Sequence, residues 1–123
     1  MTETARSDAP EGENVPQKPV QLESMDDYEE LTTEHDLVLL EFFTSGCGIC
    51  GSLEPVLGTV ARVAPGVVAM VNAGLVPDLS TEFAVQSVPT LVVLKEGEEV
   101  ARLDDGFVGA EKLVELLETH AEE

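Results

Sequence analysis

One seven-residue run, Leu37-Val38-Leu39-Leu40-Glu41-Phe42-Phe43, limits what the chain can fold into more than any other feature. Side chains of a strand alternate between its two faces, and here both alternating sets are apolar, so both sides must be shielded from water. Such a strand belongs at the centre of a sheet that carries helices on both faces. Glu41 alone breaks the pattern. Beyond the octet Thr44-Ser45-Gly46-Cys47-Gly48-Ile49-Cys50-Gly51 the apolar period becomes helical. Ile49, Leu53, Val56, Leu57, Val60 and Ala64 mark one stripe directed at the sheet. Pro55 is expected to kink this helix, and Pro65-Gly66 to end it.

The flanking sequence supplies the remaining elements. Residues 1–19 hold Pro10, Pro16 and Pro19, four acids and almost nothing apolar. They cannot offset their own ordering entropy and are expected to form a disordered tail before one domain over 20–123. Val20-Gln21-Leu22 fits a short edge strand, and Ser24 caps a brief helix through Leu31 with Asp26 and Asp27 in its first turn. Val67-Val68-Ala69-Met70-Val71 fits a second buried strand, and Asp78 begins a short helix bearing Leu79 and Phe83. Leu91-Val92-Val93-Leu94 and Val100-Ala101-Arg102-Leu103 form a hairpin across the polar turn Lys95-Glu96-Gly97-Glu98. Ala110, Leu113, Val114 and Leu117 give the inner stripe of a last helix. The order β-α-β-α-β-α-β-β-α predicts an α/β domain with a central mixed sheet of four to five strands and helices on both faces.

Charge narrows the partners. With 25 Asp and Glu against 6 Lys and Arg, a net charge of −19, nucleic acid and anionic membranes are excluded, because phosphate contacts depend on Lys and Arg. The longest apolar runs are far short of the roughly 18 residues of a membrane span. Met-Thr-Glu-Thr-Ala-Arg-Ser-Asp at the N-terminus has no apolar signal core, so a cytoplasmic location is expected. Self-repulsion of this size loosens a fold in dilute buffer and fades in about 1 M salt, where the screening length is about 3 Å. The composition therefore fits a halophilic, salt-rich cytoplasm.

Both cysteines of the chain lie three residues apart at the strand-to-helix junction. With Cys47 at the start of the helix, Cys50 stands one turn on and on the same face, within the roughly 4.4–6.8 Å between α-carbons that a disulfide needs. Half of a four-thiolate zinc site is one reading, but a monomer has no second pair, and His35 and His120 are remote surface residues. An inert structural disulfide is another, yet so short a loop contributes little and the cytosol is reducing. Redox exchange is the third, and the β-α setting favours it. Unpaired N–H groups at the helix start stabilise a thiolate at Cys47. Gly46 and Gly48 are expected to turn the backbone sharply and leave that sulfur uncovered. Cys47 is then the attacking sulfur, and the less exposed Cys50 resolves the mixed disulfide.

Glu41-Phe42-Phe43, Cys47-Gly48-Ile49-Cys50, Pro55, Val88-Pro89-Thr90, Gly97 and Gly109-Ala110 together resemble the thioredoxin family, in order and spacing from about Val20 to Ala121. The resemblance implies a thioredoxin fold and a protein-disulfide reductase that needs no cofactor or metal. Its partners would be protein disulfide substrates and a thioredoxin reductase-type electron donor, and it would work as a monomer. It also implies a cis Val88-Pro89 bond beside the cysteines, with the Val88 backbone open to a substrate strand. Gly46, Gly48, Ile49, Val88 and Pro89 are thus the expected substrate-binding residues. Glu41 falls where thioredoxins usually carry a buried aspartate that takes the proton of the resolving thiol. A carboxylate in a covered strand has a raised pKa and can exchange a proton near neutrality, unless the longer Glu side chain reaches water.

Three positions depart from the family pattern. Gly46 and Ile49 replace the usual Trp before the first cysteine and Pro between the two, and Met70 stands where many relatives carry a lysine facing the acid. A glutaredoxin-like enzyme is a rival, but the two carboxylates of glutathione call for nearby cations, and the nearest basic residue in sequence is Arg62. Rivals of another class are a binding or adaptor module with vestigial cysteines, and a dimer clamping zinc between two Cys-x-x-Cys pairs.

Overall fold

The computed structural model describes residues 15–123. Residues 1–14, most of the segment expected to be a tail, lie outside the described residues, while Val15 packs against the core. In chain order the elements are β1 (Val20–Leu22), α1 (Met25–Glu34), β2 (Leu37–Phe43), α2 (Gly48–Val63), β3 (Val67–Asn72), α3 (Pro77–Glu82), β4 (Thr90–Lys95), β5 (Glu98–Leu103) and α4 (Ala110–Ala121). The doubly apolar run is the middle of a five-stranded sheet ordered β1-β3-β2-β4-β5. β2 pairs parallel to β3 and antiparallel to β4, which sets Glu41 between Met70 and Leu91. β1 runs parallel to β3 and β5 antiparallel to β4, so the two short or exposed strands take the edges.

Alternation along β2 divides the core in two. Val38, Leu40 and Phe42 pack with Tyr28 and Leu31 of α1 and with Leu79 and Phe83 at α3. The Phe83 ring lies 5.9 Å from Tyr28, edge-on, and 5.6 Å from Phe42. On the other face, Leu37 and Leu39 meet Leu53, Leu57 and Val60 of α2 and Leu113 and Leu117 of α4. Each such side chain contributes about 1.5–3 kcal/mol by leaving water, and this holds α2 and its N-terminus in place.

Several local expectations change. α1 extends one turn past Leu31, with Thr32 Oγ1 donating to the Tyr28 carbonyl. α3 starts at Pro77, whose preset φ and missing N–H suit the first helical position, so Asp78 sits in the first turn instead of opening it. Ile49 is not part of the buried stripe: it is 48 % exposed, and Cys50 takes its place at 4 %. At about 100° per residue, Cys50 lies nearer the middle of the arc set by Leu53, Leu57, Val60 and Ala61 than Ile49 does. Pro55 lies inside α2 without ending it. Among the described residues no helix is long and apolar enough to cross a membrane.

The turn between α2 and β3 depends on one glycine. Gly66 has φ +89°, and a Cβ there would meet the Leu37 carbonyl oxygen at 2.7 Å. Gly97 has φ +83° in the β4–β5 hairpin, but open space around it. Gly66→Ala should therefore destabilise by about 2–4 kcal/mol, and Gly97→Ala by only about 1–2 kcal/mol. Urea unfolding of both variants checks this; equal losses would remove the steric part.

Candidate active site

α2 begins on Cys47 itself. Cys47 is the N-cap residue, in extended backbone geometry, and its Sγ accepts a hydrogen bond from the Cys50 N–H at 3.1 Å. Sulfur thus fills the place usually taken by a Ser or Asp oxygen, facing helix-start amides that have no carbonyl partner. The Gly51 N–H donates to the Cys47 carbonyl, and the Cys47 N–H to the Thr44 carbonyl, which closes the turn from β2. Cys47 and Cys50 are joined as a disulfide with α-carbons 5.2 Å apart. Cys47 is half-buried and Cys50 buried, so the two halves of the disulfide differ in exposure.

Gly46 and Gly48 do not have the backbone role expected of them. Neither has positive φ, and a Cβ on either would meet nothing within 4 Å. The N-cap geometry of Cys47 makes the turn without them, and both glycines are exposed beside the sulfur.

Glu41 does not reach water. It is 0 % exposed, and neither carboxylate oxygen has a hydrogen-bond partner. It shares its strand face with Leu37 and Leu39, the face that α2 covers. Burial pushes its pKa up to about 7, with the Glu54 carboxylate on α2 as the second cause. The residue opposite it on β3 is Met70, which brings no cation to lower the value.

The Val88-Pro89 bond is cis. Pro89 is buried and Val88 packs partly against the core, directly ahead of β4, whose Thr90 pairs with Phe42. Thr90 Oγ1 donates to the Ser87 carbonyl at 2.7 Å and fixes this bend. The strand directions bring Val88-Pro89 and the Cys47 turn to the same end of the sheet.

Three contributors were not apparent in the sequence. Asn72 Nδ2 donates to Ser45 Oγ at 3.4 Å, and the Ala73 N–H to the Phe43 carbonyl at 2.7 Å, tying the end of β3 to the cysteine turn. Arg102 on β5 donates to the Phe83 carbonyl at 2.7 Å and pairs with Glu99, steadying the segment that leads to Pro89. Glu54 acts on Glu41 through space. Only Glu54 left a trace, one helical turn beyond Cys50.

A five-stranded mixed sheet with helices on both faces, bearing a Cys-x-x-Cys disulfide on the N-cap of the helix after its central strand, defines a thiol–disulfide oxidoreductase of the thioredoxin fold. Sequence and structure comparisons carry this to a family. The Thioredoxin family model matches residues 19–119. Thioredoxin from Chlamydia muridarum is 35% identical over 102 residues, 82% of this chain and 98% of its own length. The N21Q mutant thioredoxin from Halobacterium salinarum superposes with a TM-score of 0.81 at 30% identity, over 85% of this chain and 92% of that one. Fasciola hepatica thioredoxin gives 0.73 at 30% identity, over 82% and 98%. The chain belongs to the thioredoxin family, whose members are protein-disulfide oxidoreductases.

Proposed function

We propose that the protein reduces disulfides of other proteins, with Cys47 attacking, Cys50 resolving and Glu41 handling the proton. The observation that carries this reading is the asymmetry of the pair: Cys47 is only half-buried and its Sγ accepts the Cys50 N–H, while Cys50 is covered. In the reduced protein the Cys47 thiolate attacks one sulfur of the substrate disulfide. A mixed disulfide forms and the other substrate sulfur leaves as a thiolate that takes a proton. Cys50 gives its proton to the Glu41 carboxylate and attacks Cys47 Sγ, closing the Cys47–Cys50 disulfide and expelling the second substrate sulfur. Glu41 then returns the proton. Two electrons and two protons pass to the substrate, and a thioredoxin reductase-type donor restores the dithiol. Gly46, Gly48, Ile49 and the cis Val88-Pro89 bend line the approach to Cys47.

Trapping tests the division of labour. Cys50→Ser should accumulate a mixed disulfide with insulin through Cys47, visible on a non-reducing gel, and the double variant Cys47→Ser/Cys50→Ser should form none. Equal trapping by both would refute the assignment; an adaptor or a zinc clamp would trap neither way.

The working environment we infer is a halophilic cytoplasm, with the protein a monomer. A chain of net charge −19 should gain stability as salt screens it. Between 0.1 M and 2 M KCl its midpoint should rise by at least about 5 °C, equivalent to about 1 kcal/mol. A midpoint indifferent to KCl in thermal unfolding would remove the halophile reading.

A further inference from the structure

The chain between α3 and β4 is held by few bonds of its own. α3 closes with the Ala84 N–H donating to the Thr81 carbonyl at 3.0 Å and the Val85 N–H to the Ser80 carbonyl at 2.9 Å. These are the two bonds of a Schellman stop, which favours glycine at its left-handed position. Ala84 takes that position at φ 52°, a conformation that a Cβ disfavours. Beyond it, among the described residues, Gln86, Ser87 and Val88 make no backbone–backbone hydrogen bond. Gln86 and Ser87 are exposed, and packing against the core reaches only Val85 and Val88.

Two side chains of the sheet pin this segment. Thr90 Oγ1 fixes its far end through the Ser87 carbonyl, and Arg102 fixes its near end. Arg102 stands opposite Val92 in the β4–β5 register, which puts its side chain on the face where Phe83 is buried. Its Nη2 donates to the Phe83 carbonyl at 2.7 Å and to Glu99 Oε1 at 2.9 Å, while Nε donates to Glu99 Oε2 at 2.7 Å. Glu99 thereby orients the planar fork that meets both acceptors at once. One of only 6 Lys and Arg in the chain is thus committed to a backbone carbonyl 19 residues away.

We propose that Arg102 is a positioning residue for substrate binding, fixing through the Phe83 carbonyl where the Val85–Val88 backbone stands beside Cys47. This rests on the dithiol reading above. Arg102 lies on the face of the sheet away from α2, so it acts on the reaction only through this segment. A substrate chain that follows Val88 while its sulfur joins Cys47 needs both groups at a set separation. A loosened segment must be ordered at the moment of binding, which costs affinity. A small disulfide reaches Cys47 alone and is indifferent to the segment. In molar salt the exposed Arg102–Glu99 attraction is screened, whereas a hydrogen bond at contact distance to a neutral carbonyl persists.

The test compares reduction of insulin and of 2-hydroxyethyl disulfide in 2 M KCl, with dithiothreitol as reductant and its own rate subtracted. Arg102→Met keeps a stem of similar length and loses every N–H donor. Its KM for insulin should rise about fivefold with kcat within about twofold, the mark of lost binding and not of lost chemistry. Arg102→Lys keeps a donor and should return to within about twofold of wild type, and Glu99→Ala should stay within about twofold as well. All three variants should reduce 2-hydroxyethyl disulfide at the wild-type rate. In Arg102→Met, hydrogen exchange should quicken about tenfold at the Ala84 and Val85 amides and stay unchanged in α2. An insulin KM in Arg102→Met equal to that of wild type overturns the role. So does an equal rise in Glu99→Ala, which would assign the effect to the ion pair, or faster exchange throughout, which would make Arg102 a stabiliser of the whole fold. Equal loss on the small disulfide overturns it too, because the substitution would then act on the thiols. A wild type inactive on both substrates overturns the dithiol reading itself, and the positioning role falls with it.

Discussion

With Cys47 replaced by serine, insulin should be reduced no faster than by dithiothreitol alone, a complete loss of the protein's contribution. The thiolate is the nucleophile in disulfide exchange, and a hydroxyl is not ionised at neutral pH. The loss should be chemical and not structural. Serine is itself a favoured N-cap, and its Oγ can accept the Cys50 N–H that Cys47 Sγ accepts now, so α2 keeps its start. Reduced wild type and Cys47→Ser should accordingly unfold within about 1 kcal/mol of each other in urea. Comparing reduced proteins matters, because closing even so short a disulfide loop adds about 2 kcal/mol in the loop-entropy picture. Insulin turbidity in molar KCl is the measurement; equal rates for the two proteins would sink the assignment.

Much of this site was legible in the sequence because its key residues violate or punctuate a pattern. Glu41 stood out as the one polar residue in a doubly apolar strand, and it is buried with no hydrogen-bond partner. Cys47 stood out at the junction where the apolar period changes, and it caps the helix that begins there. The phase of that helix was less legible. The spacing of Ile49 and Cys50 to Leu53 and Leu57 fits either residue in the stripe, and only packing of the whole buried arc turns Cys50 inward and Ile49 out. The two glycines around Cys47 suggested a backbone need that the N-cap already meets. What sequence order conceals most is what the sheet brings together. Ser45 and Asn72 are 27 residues apart, and Phe83 and Arg102 are 19 apart.

Stability should fall as pH rises through neutrality, and Glu41→Leu should abolish much of that fall. The Glu41 carboxyl has a folded-state pKa of about 7, against an ordinary value of 4.5. Between those values the folded chain holds a proton that the unfolded chain has released, so folding is progressively disfavoured as pH climbs from about 4.5 to beyond 7. The full penalty, reached above pH 7, is about 3.5 kcal/mol at about 1.4 kcal/mol per unit. Below pH 4.5 both states are protonated and the penalty is absent. Leucine fills a similar volume without a charge, between Leu91 and Met70 on a face already lined by Leu37 and Leu39. At pH 8.5 the variant should be more stable than wild type by about 2–3 kcal/mol, or roughly 10 °C in midpoint, and near pH 4.5 the gap should shrink to under about 1 kcal/mol. Glu54→Gln, by removing the second cause, should move the window to lower pH without closing it. Urea unfolding of wild type and Glu41→Leu from pH 4.5 to 8.5 in molar KCl decides the matter, and a gap that does not change with pH would rule out a buried, titrating Glu41. The same substitution should slow substrate release, because Cys50 would lose the base that takes its proton. Its mixed disulfide with insulin should then outlive that of wild type, as the proposed role of this carboxylate in taking the proton of Cys50 requires.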